Sequence, residues 1–156
     1  MLKVVHIIGS LGRGGAERIL ENIVANQAEI IRHVVVSLSC NDQGAQDLRE
    51  LGIKVFEVGL RQPEETGSLI IRCGRFAGGV VKVIRILRKE KPDVLHTWMY
   101  HADLIGGVLG RVFGIPVIWG IFLANLDSDY YKTSTNIVIA IAARTSNYLP
   151  TRIISC

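Results

Sequence analysis

The sequence predicts a doubly wound α/β domain with a mainly parallel sheet, and three observations carry that expectation. Short β-branched runs alternate with stretches of helical period along the whole chain. The stretch from Lys3 to Arg18 reads as buried strand, glycine-rich loop and helix start. No repeat or low-complexity segment breaks the alternation. Such an order implies right-handed crossovers that leave helices on both faces of the sheet. At 156 residues, 49% apolar and 21% charged, the chain is one globular domain able to bury a real core.

Each element has a local reason. Lys3 to Ile8 is β-branched and apolar apart from Lys3 and His6, as suits a strand buried on both faces. A loop follows, with glycines at 9, 12, 14 and 15. Ile19, Leu20, Ile23 and Val24 then share one face of a helix expected to end near Glu29. His33 to Leu38 is a second buried strand, Asn41 to Gly44 a loop, and Ala45 to Leu51 a short helix. Gly52 stops that helix as a left-handed terminal residue. Lys54 to Val58 alternates as a third strand, and Gly59 to Gly67 reads as an exposed loop.

A long helix is expected from Ser68 to about Lys91, where Pro92 stops it. Its apolar stripe is Cys73, Phe76, Val80, Ile84 and Leu87; Arg72, Arg75, Lys82, Arg85 and Lys89 form a basic side. Asp93 to Thr97 is a fourth strand. Tyr100 to Phe113 is a helix whose Gly106, Gly107 and Gly110 let a neighbour come close. Val117 to Gly120 is a fifth strand, and Leu123 to Asp129 a loop. The helix from Lys132 to Thr145 is so apolar in its middle that it should be buried. Arg152 to Cys156 begins a sixth strand.

Two stretches carry chemistry. The glycine loop lies at a carboxyl strand end, where folds of this class bind ligands. Its glycines let the backbone approach a ligand, and the N–H groups of the helix start attract phosphate or another anion. It is not a P-loop, for no Gly-Lys-Ser/Thr follows. It also lacks the dinucleotide fingerprint, because Glu17 stands where the third glycine belongs. The plain alternative is a tight turn that lets the helix pack against the sheet. The second stretch, Val94 to Ile105, crowds His96, Trp98, Tyr100, His101 and Asp103 at another strand end. Imidazoles act as acid, base or donor, and aromatic faces stack on sugars and bases. Equally, Trp98 and Tyr100 can be read as core and the histidines as helix caps, so both readings stay open.

Other classes are disfavoured. The longest apolar run, Ile137 to Ala143, is far short of the ~20 residues of a spanning helix. No secretory signal is visible in the residues given, and the odd set Cys40, Cys73 and Cys156 shows no metal-ligand spacing. A cytoplasmic protein without bound metal is therefore expected. A net charge of +4 favours anionic partners. Nucleic acid is not expected among them, because the basic residues are not clustered with an aromatic platform.

The chain resembles the amino-terminal, acceptor-side domain of GT-B glycosyltransferases, in particular the retaining family-4 group. The residues that carry the resemblance are Gly12-x-Gly14-Gly15-Ala16-Glu17-Arg18, Pro92-Asp93-Val94 leading to Thr97 through Asp103, and Trp119-Gly120-Ile121. The closing stretches Ala143 to Pro150 and Ile153 to Cys156 add to it. The resemblance implies a Rossmann-like half of a two-domain enzyme whose carboxy-terminal nucleotide-sugar domain, in cis or in trans, lies outside these residues. It implies transfer from a nucleotide-sugar to a glycan or lipid-linked acceptor, with no other cofactor. By the same resemblance, Gly12, Arg13, Gly14, Gly15 and Arg18 bind substrate phosphate, Trp98 and Tyr100 bind sugar or acceptor, and His101 is catalytic. Relatives usually carry Arg where Phe122 stands here. The pairs Glu21/Glu29 and Glu57/Glu65 match the donor-site Glu-x7-Glu spacing by coincidence only, in the wrong half. A basic helix face also fits peripheral contact with an anionic membrane at its inner side. The alternatives are a free-standing nucleotide or phosphate-binding module, with Asp42 on a ribose, and half of a split two-chain transferase.

Overall fold

The computed structural model describes residues 1–60, 69–122 and 133–155. Strands and helices alternate as expected: β1 (Leu2–Ile8), α1 (Gly15–Gln27), β2 (Ile31–Ser37), α2 (Gln43–Glu50), β3 (Lys54–Glu57), α3 (Leu69–Glu90), β4 (Val94–Trp98), α4 (Tyr100–Phe113), β5 (Val117–Ile121), α5 (Thr133–Thr145) and β6 (Arg152–Ser155). The six strands form one all-parallel sheet in the order β3-β2-β1-β4-β5-β6. The chain winds outward from β1 to β3, crosses back through α3, and winds outward again from β4. The loops expected over Gly59 to Gly67 and Leu123 to Asp129 lie largely outside the described residues, as do Ser68, Lys132 and Cys156.

β1 and β4 sit at the centre, which explains their predominantly apolar character. Val5 and Ile7 point to one side and pack with Val34, Val36, Leu95, Val117 and Trp119 under Val83 and Leu87 of α3 and Ala102 and Leu109 of α4. Ile8 points to the other side with Val35 and Trp98, under Leu20 and Val24 of α1 and Ala45 and Leu48 of α2. The glycine stripe of α4 works as expected. A Cβ at Gly106 would overlap the Thr97 methyl, and one at Gly110 would overlap Val117, so α4 lies closer to the sheet than side chains would allow.

Two expectations fail. Cys73 and Phe76 lie outside the core: Cys73 is exposed and Phe76 is 51% exposed, while Val83, absent from the expected stripe, is fully buried. The period is right, but among the described residues nothing covers the first turns of α3. α5 is not buried either. Among the described residues only Ala142 reaches the core, and Ile137 and Ile141 are 56% and 44% exposed. α5 packs on α4 near the sheet edge formed by β6, which is itself exposed, so among the described elements its main neighbour is on one side.

Candidate functional site

An open cavity of about 500 Å³ lies at the carboxyl ends of β1 and β4. Topology puts it there. β1 hands the chain to α1 on one face and its neighbour β4 hands it to α4 on the other, so the two loops part and leave a crevice. One wall is Ile8, Gly9 and Ser10 with Gly15, Ala16, Glu17 and Ile19; the other is Trp98 through Ala102, together with Phe122.

The α1 wall is a helix start without a capping side chain. Its N-cap, Gly14, is extended at φ −94° and ψ 178°, and the Arg18 N–H is bonded back to the Gly14 carbonyl at 3.3 Å. The N–H groups of Gly15, Ala16 and Glu17 precede the first helical hydrogen bond and lie beside the cavity. The α4 wall begins on a strained residue. Met99 has φ 70° and ψ 157°, a conformation cheap only for glycine, at a cost of about 1–3 kcal/mol for other residues. Its N–H bonds the Gly120 carbonyl at 3.2 Å and its carbonyl accepts from Asp103 N–H at 2.9 Å. This turn presents Tyr100 and His101 to the cavity with their rings 5.8 Å apart.

Trp98 is core and cavity wall at once: it is fully buried and stacks on Phe122 at 4.7 Å. Its indole N–H donates to His6 Nδ1 at 3.3 Å. An indole can only donate, so the His6 proton sits on Nε2 and is donated to His33 Nδ1 at 3.0 Å. That assigns the His33 proton to Nε2. His96 pairs with His6 across β4 and β1 and lies 4.5 Å from the Trp98 ring. Burial holds His6, further discouraged by His96 and His33, well below the usual imidazole range. Burial also lowers His33, against the Gln27 carbonyl that favours its charged form, and lowers His96 to about 4.

On the other side of β4, Thr97 Oγ1 lies 2.6 Å from Asp103 Oδ1. Burial pushes this carboxyl up to about 7, and the Thr97 hydrogen bond pulls the other way. Asp42 is a brace. Its Oδ2 accepts from Leu11 N–H and Ser37 Oγ, both at 2.8 Å, and from Ser39 Oγ, tying the glycine loop to the end of β2. Glu57 is likewise engaged, in an ion pair with Arg49 at 2.7 Å. Among the described residues no group of three or more His, Cys, Asp or Glu is arranged to hold a metal ion.

Of the residues singled out in the sequence, Gly15, Trp98, Tyr100 and His101 line the cavity together. Gly14 stands just behind it as the N-cap, while Gly12, Arg13 and Arg18 are exposed and do not line it. Sequence reasoning did not assign Gly9, Ser10, Glu17, Met99 or Phe122 to the site. Gly9 and Glu17 belong to the glycine motif and Phe122 stood out as a departure; the Met99 strain has no signature in sequence.

The fold is similar to that of HepE from Anabaena solved with UDP, with TM-score 0.71, 18% identity, and coverage of 97% of this chain and 37% of that one. MurG from Acinetobacter baumannii matches with TM-score 0.66, 15% identity, and coverage of 100% and 41%. The UDP-GlcNAc 2-epimerase from Neisseria meningitidis bound to UDP-GlcNAc matches with TM-score 0.56, 16% identity, and coverage of 90% and 38%. This chain thus spans about two fifths of the length of the solved structures it matches. The fold is that of the Rossmann-like amino-terminal half of a GT-B architecture. The family model described as Glycosyltransferase Family 4 matches residues 13–133, and the chain belongs to that family. Among curated proteins no sequence relative was found.

Proposed function

We propose that this domain is the acceptor-side half of a retaining glycosyltransferase that moves a sugar from a nucleotide-sugar to a glycan or lipid-linked acceptor. The observation that carries the proposal is the cavity, in which the open start of α1 faces Tyr100 and His101 across the β1–β4 crevice. Family membership supports the reaction class, and the UDP and UDP-glucose complexes of HepE support a nucleotide-sugar donor. The N–H groups of Gly15 to Glu17, with Arg13 or Arg18 nearby in sequence, stabilise charge developing on the leaving diphosphate. His101 sits on the sugar and acceptor side, where an imidazole moves a proton or donates a hydrogen bond. A second domain, in cis or in trans, supplies the rest of the donor site, and no metal or further cofactor takes part.

In the alternative, a free-standing module with Asp42 on a ribose, one oxygen of that carboxylate, Oδ2, already accepts from Leu11, Ser37 and Ser39. Peripheral contact with an anionic bilayer at the inner membrane face, through α3, is the finer part of the proposal. A single-turnover assay tests the main reading. The 156-residue chain alone transfers no sugar, and transfer appears when a nucleotide-sugar domain is supplied; robust transfer by the chain alone overturns the half-enzyme reading.

A further inference from the structure

Thr97 and Asp103 bracket one wall of the cavity. The residues between them, Trp98 to Ala102, form that wall together with Phe122. Thr97 lies near the end of β4, Asp103 in the first turn of α4, and their side chains meet at 2.6 Å. The side-chain contact therefore closes a loop around the strained Met99, Tyr100 and His101. Both ends are buried, Thr97 fully and Asp103 to 2% exposure. The Thr97 methyl fills the space that a Cβ at Gly106 would take, which leaves its hydroxyl to face Asp103.

One hydrogen decides the direction of this contact. Thr97 Oγ1 also lies 3.3 Å from the Ile118 carbonyl, which can only accept. A hydroxyl has a single hydrogen to give. Both contacts are full hydrogen bonds when Asp103 carries a proton and donates it to Oγ1, which frees the hydroxyl hydrogen for Ile118. An ionised Asp103 would claim that hydrogen and stand as a buried charge, and burying an unpaired charge is costly. The ion pairs among the described residues lie elsewhere, at Glu57 and Glu90. α4 packs on β1, β4, β5 and α5. Of the titratable groups on those elements, His6 and His96 lie on the other face of the sheet beside Trp98. Lys3 is paired with Glu90 and Arg144 is exposed. On α4 itself, Tyr100 and His101 face the cavity. We infer that Asp103 is a positioning residue of the cavity: as a neutral carboxylic acid it donates to Thr97, Thr97 donates on to Ile118, and this relay holds the Met99 turn and with it the place of His101. The value of that place for sugar transfer rests on the proposed role of His101; the relay itself does not. Burial, which pushes the carboxyl up to about 7, acts in the same sense.

Carbon NMR of the 156-residue chain, with isotope label in the aspartate carboxyls, methionine methyls and histidine rings, tests the relay. Met1 is the one other methionine, so the Met99 methyl is readily assigned. At about pH 6 the Asp103 signal, identified by its loss in Asp103→Asn, is expected at the position of a neutral acid, where an ordinary aspartate is ionised. Raising the pH through about 7 is expected to move it to the ionised position, and the Met99 methyl with it. The same movement in His101→Gln shows that the imidazole is not its cause. Asp103→Asn keeps a donor, so its Met99 and His101 signals stay at the low-pH positions of the parent. Asp103→Leu has no donor and displaces both at every pH. An Asp103 already ionised at about pH 6 overturns the inference. So does a Met99 methyl that ignores both the carboxyl titration and Asp103→Leu. The titration of the parent requires no variant to fold. None of these results bears on sugar transfer, which the single-turnover assay decides separately.

Discussion

Beneath the cavity, one indole hydrogen dictates the protonation of two histidines. Because Trp98 Nε1 can only donate, His6 and His33 are fixed as neutral tautomers with their protons on Nε2. These imidazoles are structural: they fix the Trp98 ring that Phe122 stacks on. His101 differs in kind. It lines the cavity, and the strained Met99 turn puts it there. In a complete protein carrying this domain, His101→Ala is expected to lower turnover by ~10²-fold or more with folding intact, the scale of losing one positioned acid–base or charge-stabilising group. Steady-state kinetics with a melting control check this. Unchanged kinetics would reduce His101 to a helix-start residue.

At the scale of elements, α3 differs along its length. Val83 and Leu87 hold its second half on the sheet, whereas Ile71 and Phe76 are 53% and 51% exposed in its first half. Arg72, Lys82, Arg85 and Lys89 are exposed along it, and the Lys82 ammonium reaches the Val58 carbonyl at 3.1 Å. Under the proposed membrane contact, each basic group near an anionic bilayer would contribute ~1 kcal/mol, and four would suffice for reversible attachment. In flotation assays the chain is expected to bind anionic vesicles, to ignore neutral ones and to release in high salt. Binding that disregards lipid charge would eliminate an electrostatic patch and point to Ile71 and Phe76 instead. α4 is built differently: Gly106 and Gly110 remove side chains to bring its backbone onto Thr97 and Val117.

For the whole molecule, buried titratable groups set the response to pH. His6 and His96 have folded pKa values below the unfolded value, so the unfolded chain binds more protons and stability is lost as pH falls from about 6.5 toward 4. Asp103 has the reverse sign. Its folded pKa of about 7 lies above the unfolded value, so its contribution is full in acid and is lost as pH rises through 7. His33 is lowered in the same sense, so three histidines oppose one carboxyl and the unfolded chain takes up protons on balance as pH falls below about 6.5. Urea titrations between pH 5 and 6.5 check this slope. Asp103→Asn is expected to steepen it, since the opposing group is gone; a flat profile in the parent would mean that the histidines charge without resistance.

The order and kind of the elements were legible in the sequence because backbone periodicity is local. Lys3 to Ile8 had to be buried on both faces, and Gly52 had to be left-handed, as its φ of 78° confirms. The two strand-end stretches that line the cavity were legible for the same reason. Their meeting was not, because only the order β3-β2-β1-β4-β5-β6 makes β1 and β4 neighbours. The Met99 strain and the Phe122–Trp98 stack also appear only in three dimensions. The errors share that origin. Phe76 and Ile141 sit on faces with the correct period, yet they are exposed, because periodicity says which residues share a face and not how far their neighbours extend to cover it.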